Sequence, residues 1–200
     1  MPASDTIALN RLATMVARQE ATDLHLSIGS PPIIRKDGVL LVIENEPVVT
    51  QDFLERTADF LTSEKEKKIL EGHKEAVLVH TFNKVMRFRV HIYEQKGLLG
   101  ISLRYIPLFS KKVRELGLPQ YLEKMLRTDS GLILVAGIHD SGRSTTVAAL
   151  INTLNELGPP RYITTIESPI ERLYANNKCI IDQLEVGKDV SSYLHGLKRA

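Results

Sequence analysis

Apolar positions along the first third of the chain follow two periods. Leu9, Leu12, Ala13 and Val16 fall at i, i+3, i+4 and i+7, the stripe of an amphipathic helix, predicted over 5–20 with Asp5 available as its cap. Leu24, Leu26 and Ile28 then alternate with polar neighbours, the period of a half-buried strand. In SPPIIRKDGVLLVIE, Asp37-Gly38 separates two β-rich runs and signals a hairpin. Helical stretches follow near 50–62 and 63–73, and the mixed charges of SEKEKKILEGHKE read as a solvated helix face. Three strand-like runs, AVLVHTF, KVMRFRVHIYEQ and LLGISLRYIP, end at Pro107. Together these predict an α+β domain over 1–107 with a largely antiparallel sheet.

Residues 108–118 carry charge and Gly117, with Pro119 beyond, and predict a linker. The texture then changes. PQYLEKMLR reads as a helix, GLILVAG at 131–137 as a wholly apolar strand, and RSTTVAALINTLNEL as a helix stopped by Gly158-Pro159-Pro160. RYITTIES reads as a further strand and NNKCIIDQLEV as an apolar, strand-like run. Strand, helix, strand is the grammar of a parallel α/β unit, predicted for 119–200.

Composition narrows the class without choosing a function. The 200 residues are 43% hydrophobic and 25% charged with a net charge of +2, an ordinary soluble globular balance. Lys and Arg are not concentrated in one run, so a nucleic-acid partner is not expected. The lone Cys179 excludes an internal disulfide framework and reads as a small buried thiol. No apolar run approaches the ~20 residues of a membrane span, and the N-terminus lacks a basic start followed by an apolar core. The expected compartment is the cytoplasm. Histidines 25, 73, 80, 91 and 195 show no metal-ligand spacing.

The candidate chemistry lies between the apolar strand and the helix after it. Gly137 and Gly142 are five apart, with Ser144 and Thr145 just beyond, the frame G-x-x-x-x-G-K-[ST] with Arg143 in the lysine position. A strand-to-helix turn is where such a loop works, because a helix N-terminus offers free N–H groups and a favourable dipole to an anion. Glu167 supplies an acidic residue at the end of the following strand. The other reading of the loop is an ordinary tight turn.

On these residues the chain resembles the PilT-type type IV pilus retraction ATPases and, more distantly, the secretion ATPases of the GspE class. The matching stretches are ATDLHLSIGSPPIIRKDG, RFRVHIYEQKGLLGISLRYIP, GLILVAG with SGRSTT, TTIESPIERLY, and CIIDQLEVGKDVSSYLHGLKRA. They run in family order over nearly the whole chain. The resemblance implies a PAS-like domain at 1–107 and the N-terminal half of a RecA-like P-loop domain at 119–200. It further implies a cytoplasmic ring, hexameric in the family and here homo-oligomeric or mixed, at the periphery of the inner membrane beneath a pilus platform protein. ATP and Mg2+ are the implied cofactors. The phosphates would lie on Gly137, Asp140, Ser141, Gly142, Arg143, Ser144 and Thr145, with Ser144 a magnesium ligand and Glu167 positioning metal or water. Arg87, Arg89 and above all Arg104 match arginines that reach phosphates or ring neighbours.

The departures from the family fall on the chemistry. Where the family loop reads G-P-T-G-S-G-K-[ST]-T, this chain has Ile138, His139, Asp140 and Arg143. Arginine keeps the charge but presents a wide planar fork in place of a compact ammonium. Asp140 replaces a glycine and faces a polyphosphate. At ~5 Å and an effective dielectric of ~20, that repulsion is about 3 kcal/mol, two decades of affinity. His139 reads as a solvent-facing loop residue. The family's I-E-D-P-I-E appears as Ile166-Glu167-Ser168-Pro169-Ile170-Glu171, with a carboxylate exchanged for a hydroxyl. The family's second acidic motif, with its catalytic glutamate, does not occur within the 200 residues. Impaired catalysis is therefore expected, with a non-catalytic structural or regulatory ring subunit as the alternative to a working motor. A sensing module in the first domain lacks any cofactor-binding constellation. A parallel sheet left half covered further implies completion, either by the rest of a longer protein or by a partner chain.

Overall fold

The computed structural model describes residues 1–107, 112–138 and 141–200. Contacts divide the chain into two units, Met1–Pro107 and Leu108–Ala200.

The first unit opens with helix α1 (Ala3–Arg18), whose predicted stripe of Leu9, Leu12, Ala13 and Val16 is buried. Its cap position is Pro2, not Asp5. Asp5 sits in the first turn, where a carboxylate suits the helix dipole, and accepts from Arg56 Nε at 2.7 Å. Strands β1 (Asp23–Ser27), β2 (Ile33–Lys36) and β3 (Val39–Val42) follow. The turn joining β2 and β3 is the predicted one: Asp37 (φ 50°) and Gly38 (φ 81°) both take positive φ, as a two-residue primed hairpin requires.

Helices α2 (Gln51–Leu61) and α3 (Glu64–His73) come next, and α3 buries no residue, as its mixed charge predicts. Strands β4 (Glu75–Phe82), β5 (Met86–Gln95) and β6 (Leu98–Ile106) complete a six-stranded sheet ordered β3-β2-β1-β6-β5-β4. Every neighbouring pair in it is antiparallel. Leu24, Leu26, Phe88, Val90, Ile92, Ile101 and Leu103 line one face and pack with α1 and α2 into a single core.

Of the expected linker at 108–118, residues 108–111 lie outside the described residues, and the remainder is folded into the second unit. Residues 113–116 form a 3-10 turn whose Val113 is fully buried against Ala149 and Leu150. Leu116, Leu118, Leu122, Leu126 and Val135 pack around this small core. A leucine-rich stretch beside an apolar helix buries itself there whatever its charged neighbours do.

Helices α4 (Tyr121–Met125) and α5 (Arg143–Leu157) follow, then strands β7 (Tyr162–Glu167) and β8 (Ile180–Glu185), which pair in parallel, and helix α6 (Tyr193–Arg199). Gly196 of α6 lies on Ile166, so close that a Cβ would meet Ile166 Cγ2 at 2.9 Å.

The apolar run 131–137 is not a strand, which corrects the expectation from its sequence. Leu132 is 89% exposed and Leu134 81%. A strand exists only against a neighbour. Among the described residues, β7 and β8 pair with each other and neither pairs with this segment.

Candidate functional site

Helix α5 starts where the phosphate-loop frame predicts. Its cap, Gly142, has φ 90°, a left-handed conformation that glycine adopts at least cost. The first helical bond runs from Thr146 N to Gly142 O at 2.8 Å. The N–H groups of Arg143, Ser144 and Thr145 precede it and point out of the helix start.

The loop ahead of the helix folds on itself. Ser141 N donates to Ile138 O at 3.2 Å, and a Cβ on Gly137 would overlap Ser141 Oγ and stand 3.6 Å from Arg143 Cγ. Gly137, Ser141, Gly142, Arg143, Ser144 and Thr145 are thereby gathered at one helix N-terminus. Asp140 and His139 lie outside the described residues. A glycine-capped helix start with free N–H groups, followed by a basic side chain and two hydroxyls, fits an anion such as a nucleotide phosphate.

Glu167 closes β7 and is held on one side. Thr165 Oγ1 donates to its Oε1 at 2.7 Å, and Gln183 Nε2 donates to the same oxygen at 3.3 Å. The amide of Gln183 also donates to Arg172 O at 2.7 Å and accepts from Tyr174 N at 2.9 Å. Two residues along β8, Glu185 accepts from Ile170 N at 3.1 Å and pairs with Lys188 at 2.7 Å. Burial, and then the nearby charge of Glu167, push the Tyr174 phenol up to about 12.

The next stretch of chain is fixed from α5. The buried Asn155 donates to Ala175 O at 2.8 Å and accepts from Cys179 N at 3.0 Å. Cys179 is buried, as its sequence context predicts.

Arg104 belongs to the first unit. Strand register places Arg35, Asp23, Arg104 and Arg89 in one row across β2, β1, β6 and β5. Asp23 lies 3.6 Å from Arg35 Nε and 3.9 Å from Arg104 Nε, one carboxylate between two guanidiniums. Arg87 shares this face and donates to Thr81 Oγ1 at 3.4 Å. The face is the side of the sheet turned away from the core, and it is basic.

Sequence reasoning proposed the loop, Glu167 and Arg104, and did not single out Gln183, Tyr174, Asp23 and Arg35, which lie beside them. Asp23 and Arg35 were discoverable only through register, since nothing in DLHLS or IIRK marks them. Gln183 was hidden in an apolar run. No group of three or more His, Cys, Asp or Glu side chains converges to hold a metal among the described residues. No helix among them is long and apolar enough to cross a membrane.

The family model described as "Type II/IV secretion system protein" matches residues 6–194. The chain is 34% identical over 192 residues to the type IV pilus retraction ATPase PilT of Pseudomonas aeruginosa, covering 96% of this chain and 55% of that protein. It is 29% identical to the type IV pilus ATPase PilU of the same organism over 188 residues, 94% of this chain and 49% of the relative. A crystal structure of the pilus retraction motor PilT with bound ADP superposes with a TM-score of 0.86 at 31% identity, over 95% of this chain and 55% of that one. The chain thus spans about half the length of the curated relatives it matches.

Proposed function

The chain belongs to the type II/IV secretion system protein family, the family of pilus and secretion motor ATPases, and we propose that it carries the nucleotide-binding part of such a motor. On this reading residues 1–107 are the PAS-like domain and 119–200 the first half of a RecA-like P-loop domain. ATP binds with its phosphates on the α5 N-terminus. Gly137, Ser141 and Gly142 shape the loop and Asp140 lies in it, Arg143 supplies the positive charge, and Thr145 adds an N–H.

The observation that carries this reading is the α5 start. Gly142 takes a left-handed cap, Gly137 lies against the Ser141 side chain, and three N–H groups stand free of helical bonds. Magnesium would be held by Ser144 and the nucleotide itself, and when bound it supplies charge neutralisation to phosphoryl chemistry. Glu167, with one oxygen pinned by Thr165 and Gln183, orients water or metal through the other. Arg104, near Asp23 in the first unit, is the arginine that the resemblance matches to one reaching phosphates or ring neighbours. The complete assembly is a cytoplasmic ring, hexameric and either of one chain or mixed, at an inner-membrane pilus platform, where ATP hydrolysis drives retraction.

A second reading, a non-catalytic ring subunit, is favoured by Arg143 in the lysine position and Asp140 in a glycine position. The two are separated by calorimetric titration with Mg-ATP. Dissociation near or below ~10 μM, about −7 kcal/mol, supports a working motor. Absence of binding at millimolar nucleotide removes the motor reading and leaves the structural one.

A further inference from the structure

β3 is an edge of the six-stranded sheet and is unlike a protected edge. All four of its side chains are apolar and exposed on both faces: Val39 57%, Leu40 52%, Leu41 44% and Val42 55%. Soluble proteins blunt such edges with lysine, proline or a bulge, and β3 has none of these within its span. The opposite edge, β4, carries Glu75, His80 and Thr81 and has α3 packed beside it.

The backbone of β3 specifies how another strand would pair. Arg35 O accepts from Thr22 N at 2.8 Å, so the backbone polar groups of Arg35 face β1, away from β3. Ile34 and Lys36 therefore face β3, opposite Leu41 and Val39, and Ile43 N donates to Pro32 O at 2.9 Å in the same phase. The N–H and C=O groups of Leu40 and Val42 are left pointing outward.

From this edge we infer that β3 pairs antiparallel with β3 of a second copy of this chain, about a twofold axis at Leu41, joining two six-stranded sheets into one. In that register Leu40 of each copy lies opposite the partner's Val42, and all the outward groups of both residues find partners. Apolar side chains meet apolar side chains on both faces. Such a twofold contact is isologous and joins copies in pairs, unlike the head-to-tail contact that closes a ring.

The test is cross-linking on the full chain with Cys179→Ala. In this register Leu41 faces the partner's Leu41 as a non-hydrogen-bonded pair, where Cα atoms approach to about 4.5 Å and a disulfide fits. Under mild oxidation, Leu41→Cys is expected to form a dimer at least about tenfold faster than Val85→Cys, a somewhat more exposed site on the β4–β5 turn. Leu40→Pro removes one outward donor, leaves the bonds to β2 intact, and is expected to weaken dimerisation at least about tenfold in light scattering with unchanged circular dichroism. Equal cross-linking rates at 41 and 85, dimers indifferent to Leu40→Pro, or a monomer at ~100 μM would each overturn the inference. A dimer that Leu41→Cys fails to trap would mean that a different surface pairs, and overturns it as well.

Discussion

Gln183 and Glu167 are linked by one amide proton. Gln183 Nε2 donates to Glu167 Oε1 at 3.3 Å while the same side chain bonds Arg172 O and Tyr174 N at 2.7 and 2.9 Å. A single glutamine thus fixes the acidic residue at the end of β7 and the chain that leaves it. Gln183→Leu strands two backbone groups, a loss of about 1–3 kcal/mol. Trypsin cleavage after Arg172 should accelerate at least severalfold while the first unit unfolds at its usual denaturant concentration. Gln183→Glu sets a carboxylate against Glu167 and the Arg172 carbonyl, so its cleavage should be rapid at pH 8 and slow again as the pH falls. Unchanged cleavage in both variants would show that the loop is held elsewhere.

Tyr174 gives the second unit an alkaline signature. Its folded-state value of about 12 lies above the ordinary phenol value of 10.0. The folded state therefore keeps its proton in a range where the unfolded chain has lost it. The stabilisation is complete below the ordinary value and drains away as pH rises from there towards the folded one. Tyr174→Phe should flatten the fall in thermal stability between pH 9.5 and 11.5. Glu167→Gln, which removes a neighbouring charge, should flatten it in part. Equal slopes in wild type and Tyr174→Phe would refute this account.

Two histidines act at the other end of the pH scale, both in the first unit. Burial pushes His25 below the usual imidazole range; Asp23 acts against this and Arg35 with it. Burial lowers His80 as well, its ring lying 5.5 Å from Phe60 and 4.6 Å from Phe82. A depressed value means that the folded state resists protonation, so stability is present above the ordinary value of 6.5 and is lost as pH falls through the folded ones. Urea midpoints of the first unit's transition should drop between pH 7.5 and 5, and the drop should be smaller in His80→Leu and in His25→Gln. A drop of undiminished size in both variants would assign the acid sensitivity to carboxylates.

Where the sequence was legible, local chemistry and tertiary demand agreed. The helical stripe of α1, the Asp37-Gly38 hairpin and the helix opening at Gly142 each state their conformation within a few residues. Legibility failed where a residue's state depends on distant partners. The run 131–137 reads as a buried strand because its residues are apolar, yet a strand needs a neighbour, and the described sheet gives it none. Val113 was read as linker because its neighbours are charged, although one apolar side chain next to α5 is enough to anchor the turn. Gln183 carries no motif, and only the parallel register of β8 on β7 brings it to Glu167.

The loop itself yields the remaining prediction. Arg143 opens α5 beside the crowded contact of Gly137 with Ser141, and its planar fork cannot fold along the loop as an ammonium can. Asp140 adds a negative charge to the same turn of sequence. Asp140→Gly with Arg143→Lys should therefore raise Mg-ATP affinity at least about tenfold, or about 1.4 kcal/mol, by titration calorimetry. The single changes separate charge from shape. Asp140→Gly should gain more at low salt than at high salt, because it removes a repulsion that ions screen. Arg143→Lys leaves the charge in place, so its gain should depend little on salt. If the double variant binds no better than the parent, the loop sequence is not what limits binding, and the exposed segment 131–137 leading into it becomes the cause to test.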